Sequence, residues 1–195
     1  MPNMYSVSPM REPDRHTSNE LKWASRVDQI VNRGFDPKPL PCEMAPDLLL
    51  GGFTEAQDVQ LLQRLGVTHV LNMACGVAQT GPSFYGGSLQ YREVDADDDA
   101  SYCLLEHFDV AYAFLRECRV AGGRMFIHCM AGINRSGAMA LAFLIADGMD
   151  LLSAARHGLR VRGPICWNKG FQLELAGFAR ERGMLREPEA GDDES

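Results

Sequence analysis

No long hydrophobic run occurs anywhere in these 195 residues. No stretch approaches the roughly 20 apolar residues that a membrane-crossing helix needs, and no N-terminal apolar run suggests a signal peptide. Proline follows Met1, so the glycine that N-myristoylation requires is missing. Basic charge is scarce: 19 Lys and Arg against 26 Asp and Glu leave a formal net charge of −7. That balance opposes polyanionic partners, so neither nucleic acid nor an anionic membrane surface is expected. The six cysteines, at positions 42, 75, 103, 118, 129 and 166, form neither a zinc-ligand spacing nor a disulfide framework. Their scatter fits a reducing cytosolic setting, or a nuclear one. No His, Asp and Glu cluster has metal-ligand spacing, so no metal and no cofactor are expected. Internal repeats are absent as well.

What the chain does have is enough apolar residue, 46% of the total, for one domain with a full core. Residues 1–16 are polar, contain Pro2, Pro9 and Pro13, and read as a mobile segment. Thr17-Ser18-Asn19-Glu20 is a capping box for a helix to about Asn32, with Leu21, Ala24, Val27, Ile30 and Val31 on one face. Pro37-Lys38-Pro39-Leu40-Pro41 links it to a strand in the 41–51 stretch. A helix from Thr54 to Leu65 and a strand from Val67 to Met73 follow; residues 74–89 read as a loop. Gln90–Val94 alternates as a strand, and Leu104–Cys118 has helical periodicity. The apolar Arg124–Ile127 stretch reads as a buried strand, Ala138–Ala146 as a helix. Two more helices, Asp150 to Val161 and Gly170 to Arg182, precede an acidic tail at Glu187–Ser195. Alternating strands and helices predict an α/β layered domain with a mostly parallel central sheet flanked by helices.

The chemistry concentrates between the buried strand and its helix, in His128-Cys129-Met130-Ala131-Gly132-Ile133-Asn134-Arg135-Ser136-Gly137. Strand, tight glycine-containing loop and helix N-terminus together make an anion site. A cysteine at the start of such a loop is expected to be a thiolate at neutral pH, and therefore oxidisable. The arginine at the far end offers a planar fork to two phosphate oxygens. The spacing alone is weak, since a bare Cys-x5-Arg arises by chance about once in two such chains. Cys118 and Arg124 repeat it without a loop that could cradle an anion. Around Cys129, the added His128, Gly132 and Ser136 lower the chance expectation to about 10⁻⁴. Gly132 is expected to supply a left-handed or close-approach backbone.

His-Cys-x5-Arg-Ser resembles the signature of the cysteine-dependent protein tyrosine phosphatase superfamily. The Ser-Gly ending and the short chain resemble its small, atypical dual-specificity branch. Pro41–Gly51 is similar to that branch's opening strand and Leu65–Met73 to its second. Trp167-Asn168-Lys169-Gly170-Phe171 resembles its Pro-Asn-x-Gly-Phe segment, with tryptophan in place of proline. The resemblance implies a catalytic domain over 42–183, after an N-terminal helix and linker at 17–41 and before an acidic tail at 184–195. It implies a phosphatase-type strand–loop–helix site that hydrolyses phosphotyrosine and phosphoserine or phosphothreonine in proteins through a cysteinyl-phosphate. Cys129 is then the nucleophile and Arg135 the phosphate clamp. The resemblance has His128 order the loop, with a plain core histidine as the alternative, and Ser136 bond the departing sulfur, with a bond to its own helix backbone as the alternative; Asn168 buttresses the loop.

A proton donor is also needed, a step worth about 10²–10⁴-fold. Asp95, Asp97, Asp98 and Asp99 follow the Tyr91–Val94 strand, and the branch's Tyr-x-x-apolar-x-x-x-Asp run puts Asp98 at the acid's place. Asp97 and Asp99 remain open as alternatives, since loop registers slip by a residue or two. Adjacent carboxylates are expected to raise one another's pKa. The uncharged loop residues Met130, Ala131, Ile133 and Asn134 oppose an inositol-lipid substrate. Gly-x-Asn-Arg-Ser also resembles RNA 5′-triphosphatases of the superfamily, which generally lack the aspartic acid. Asp98 and the acidic balance favour a phosphoprotein instead. A phosphoprotein-binding module without turnover is the reading from another class; such proteins usually lose the cysteine, arginine or acid, and this chain keeps all three.

Overall fold

The computed structural model describes residues 16–33 and 36–186. The expected mobile segment, apart from His16, and the tail from Glu187 lie outside the described residues. A five-stranded sheet runs in the order β1 (Cys42–Ala45), β2 (Leu48–Gly51), β5 (Met125–His128), β3 (His69–Asn72), β4 (Gln90–Glu93). Only β1 is antiparallel to its neighbour. The expected α/β layering with a mostly parallel sheet is what the chain forms.

Side-chain alternation divides the sheet between two cores. Leu48, Leu50, Leu71, Met125 and Ile127 enter the larger one, with the helices α1 (Ser18–Val31), α4 (Phe108–Val120), α5 (Arg135–Ala146), α6 (Leu151–Arg162) and α7 (Lys169–Glu181). Leu49, Val70 and Phe126 face the smaller one, with Ala56, Leu62, Tyr85 and Leu89. Residues 135–145 of α5 are all buried. A helix apolar all round must sit at the centre, and this one does.

Three expectations need correction. The single opening strand is a hairpin, because Pro46-Asp47 turns the chain between β1 and β2. The expected 54–65 helix is two pieces, α2 (Phe53–Gln57) and α3 (Val59–Arg64), since Asp58 leaves helical geometry at ψ 80° and caps α3 through Leu61 N–H at 2.8 Å. Leu21 is 55% exposed, and Trp23 takes its place on the buried face of α1. The capping box itself forms: Thr17 Oγ1 accepts from Glu20 N–H at 3.2 Å, and Glu20 Oε2 accepts from Thr17 N–H at 2.7 Å. No described helix is long and apolar enough to cross a membrane.

Candidate active site

The parallel register sets the floor of the site. Gly51, His128 and Asn72 lie side by side at the C-terminal ends of β2, β5 and β3, the edge where parallel sheets leave room for a ligand. From there residues 129–134 loop over to α5, whose first residue is Arg135, three earlier than the apolar periodicity suggests.

Four consecutive loop carbonyls are held from outside. Met130 O accepts from Phe53 N–H at 2.9 Å, and Ala131 O from Arg162 Nη2 at 2.9 Å. Gly132 O accepts from Arg162 Nε at 2.9 Å, and Ile133 O from Cys166 N–H at 2.8 Å. In planar trans peptides the amide hydrogens then point the other way, so the N–H groups of Ala131, Gly132, Ile133 and Asn134 turn into the loop. Gly132 is required twice over: its φ is +64°, and a Cβ there would meet Gly51 O at 2.5 Å. Sequence reasoning missed Arg162, which the structure places in the last turn of α6, one residue beyond the expected end of that helix. It also missed Gly52, where a Cβ would meet Met130 O at 2.9 Å.

Cys129 is buried at the start of this nest, and Ser136 Oγ donates to its Sγ at 3.1 Å. Arg135 is 8% exposed; its Nη1 donates to Ala96 O at 3.1 Å, while its buried Nε has no partner. His128 is fully buried, with Nδ1 3.3 Å from Cys129 O and Nε2 3.4 Å from Thr80 Oγ1. A neutral ring satisfies both contacts by donating from Nδ1 and accepting at Nε2. Burial pulls its pKa from 6.5 to about 4, against the opposing bond to Cys129 O.

The acidic loop sits at the rim. Asp98 Oδ2 accepts from Asn134 Nδ2 at 3.1 Å and its Oδ1 from Asn168 Nδ2 at 3.0 Å. Asp99 instead turns to Ser101, accepting from its N–H at 2.8 Å and its Oγ at 2.5 Å. Those bonds hold the Asp99 carboxyl below the usual range, the reverse of mutual elevation among neighbours. Asp95 accepts from Gly76 N–H at 2.9 Å. Asp97, Asp98 and Asp99 line an open cavity of about 430 Å³ with Ser101 and Tyr102.

Asn168 also caps α7, accepting from Gly170 N–H at 3.0 Å and Phe171 N–H at 3.3 Å. Its neighbour Trp167 donates its backbone N–H to Asn134 Oδ1 at 2.8 Å, a bond that proline could not make. The decoy pair comes to nothing: Cys118 lies within α4, and Arg124 bonds Pro46 O and Leu65 O.

Comparison with known proteins agrees with this geometry. The sequence model of the dual specificity phosphatase catalytic domain matches residues 48–181. Dual specificity protein phosphatase 13B of Homo sapiens is 38% identical over 174 residues, covering 87% of this chain and 83% of that protein. The Mus musculus protein of the same name is 33% identical over the same length. The crystal structure of human DUSP28 superposes with a TM-score of 0.68 at 28% identity, covering 76% of this chain and 99% of that one. A mouse putative dual specificity phosphatase complexed with zinc tungstate also gives 0.68, at 26% identity, over 80% of this chain and 99% of its own. A match this extensive, to relatives of nearly the same span, shows that the chain belongs to the dual specificity protein phosphatases.

Proposed function

We propose that the protein removes phosphate from tyrosine and from serine or threonine side chains of proteins in two steps, through a cysteinyl-phosphate on Cys129. The single observation that carries this is the Arg135 guanidinium, buried with its Nε unpartnered beside the inward-turned loop N–H groups. A buried, unsatisfied donor on a cation is costly. A phosphate dianion in the loop supplies the missing acceptor. Tungstate, the tetrahedral oxyanion named with the mouse structure, has the same shape.

In the first step the Cys129 sulfur attacks phosphorus in line with the ester oxygen. The S–P bond forms as the P–O bond breaks, and Asp98 gives its proton to the departing oxygen. Arg135 and the loop N–H groups hold the three equatorial oxygens, so positioning and electrostatics supply most of the acceleration. In the second step a water attacks phosphorus and yields a proton to the Asp98 carboxylate. The S–P bond breaks, inorganic phosphate leaves, and Ser136 Oγ hydrogen-bonds the released sulfur. His128 stays neutral and orders the loop. Asn168 supports it by holding Asp98 and by capping α7. Free thiols at all six cysteines support action in a reducing compartment, cytosolic or nuclear.

The test is hydrolysis of p-nitrophenyl phosphate, then of phosphotyrosine and phosphothreonine peptides, by the wild type and Cys129→Ser. Turnover that disappears in the variant is expected, as is loss with peroxide that added thiol reverses. A folded wild type without turnover on any of the three would sink this reading.

A further inference from the structure

We infer that Asn134 is the positioning residue that holds Asp98 over the phosphate loop, an inference resting on the reading of Asp98 as proton donor. Asn134 occupies the N-cap of α5, where an asparagine side chain ordinarily accepts from the helix's first free N–H groups. Here it makes no such bond. Its Oδ1 instead accepts two backbone N–H groups from another part of the chain, Trp167 at 2.8 Å and Asn168 at 3.1 Å. Those two donors fix the amide's orientation, because the flipped rotamer would set its NH2 against them. The Nδ2 is thereby aimed at Asp98 Oδ2, 3.1 Å away.

Asn168 Nδ2 takes the other oxygen at 3.0 Å, so the carboxyl is gripped at both ends. Each oxygen keeps a second lone-pair site for a proton or a leaving group. Asp98 is exposed on a loop and has no helix or strand of its own to hold it. The amide of Asn134, one residue from Arg135, ties the acid to the loop that binds phosphate. Trp167 matters through its backbone: a residue with an N–H at this position anchors Asn134, which a proline would not. Positioning of this kind carries weight, since a displacement of about 1 Å can cost about 10²-fold in rate.

Two aryl phosphates separate this role from a general effect on the loop. Nitrophenolate leaves readily without protonation, whereas phenolate depends on the acid. For wild type, Asn134→Ala, Asn134→Asp, Asp98→Asn and the Asp98→Asn/Asn134→Ala pair, the quantity to read is the ratio of kcat for phenyl phosphate to that for p-nitrophenyl phosphate. The expected result is a ratio about tenfold lower in Asn134→Ala and lower still in Asn134→Asp, which sets a second carboxylate against Asp98. The double variant is expected to match Asp98→Asn, since the two residues act in series. Asn134→Asp keeps the acceptor for Trp167 and Asn168, so it carries the test if Asn134→Ala does not fold. A ratio unmoved in both Asn134 variants while Asp98→Asn shifts it would overturn the inference and leave Asp98 as the acid. A ratio unmoved by Asp98→Asn would remove the proton-donor reading, and this inference with it.

Discussion

The Arg162 guanidinium reaches the Gly132 carbonyl from behind the phosphate loop, with Nε donating at 2.9 Å while Nη2 bonds Ala131 O at the same distance. One buried fork thus holds two successive peptides with their carbonyls outward. Arg162→Met is expected to release both and to leave buried carbonyls unpaired. Hydrogen bonds to charged groups contribute about 1.5–3 kcal/mol each, so inhibition by tungstate should weaken about tenfold or more. Arg162→Lys should not restore it, because a single ammonium cannot span both carbonyls. Inhibition constants for the three proteins check this; full inhibition retained in Arg162→Met would show that the loop holds its shape unaided.

Gly170 lies where the acidic loop crosses α7. A Cβ there would meet Ala100 O at 1.9 Å, a backbone atom that cannot swing away. Gly170→Ala is expected to push residues 97–101 off their support and to lower stability by about 1–3 kcal/mol. The phenyl-to-nitrophenyl phosphate ratio should fall along with the melting temperature. A variant with unchanged melting and unchanged ratio would mean that the loop relaxes freely.

His128 predicts an acid limb in stability. Its pKa is about 4 in the folded protein against 6.5 ordinarily. Between those values the unfolded chain binds the extra proton, so stability rises with pH there. The contribution is complete above pH 6.5, declines as pH falls, and levels off once the folded imidazole also protonates below about 4. The slope approaches about 1.4 kcal/mol per pH unit in mid-window. Urea midpoints across that range should show the slope in wild type and a reduced one in His128→Asn. Equal slopes would assign the acid limb to other groups.

Ser136 Oγ donates to Cys129 Sγ, the leaving group of the proposed second step. Ser136→Ala is therefore expected to slow breakdown of the cysteinyl-phosphate more than its formation. A stopped-flow burst of nitrophenol, followed by a steady state about tenfold slower than wild type, is the expected trace. A uniform slowing without a burst would limit Ser136 to packing at the helix start.

How far the sequence reaches follows from which contacts are local. The order of strands and helices along the chain was readable because the continuous apolar stretch ending at Ile127 and the apolar run in α5 are properties of adjacent residues. Capping boxes are local too, and the one at Thr17–Glu20 formed as read. The hairpin at Pro46-Asp47 was missed because strands of four residues are too short for periodicity to separate.

Within the candidate site, the sequence alone marked out the 129–135 segment, since Cys129 through Arg135 are consecutive and only six residues, 129–134, join strand to helix. Tertiary structure decided the rest. Arg162 lies 30 residues from Gly132 and Asn134 36 residues from Asp98, separations across which spacing carries no geometry. Only the packing of α6 and α7 beside α5 brings Arg162 behind the loop and Asn168 beside its rim. Three adjacent aspartates are equivalent as letters. They became distinct once the fold gave Ser101 to Asp99 and two amides to Asp98, because hydrogen-bond partners are assigned by position in space rather than by order along the chain.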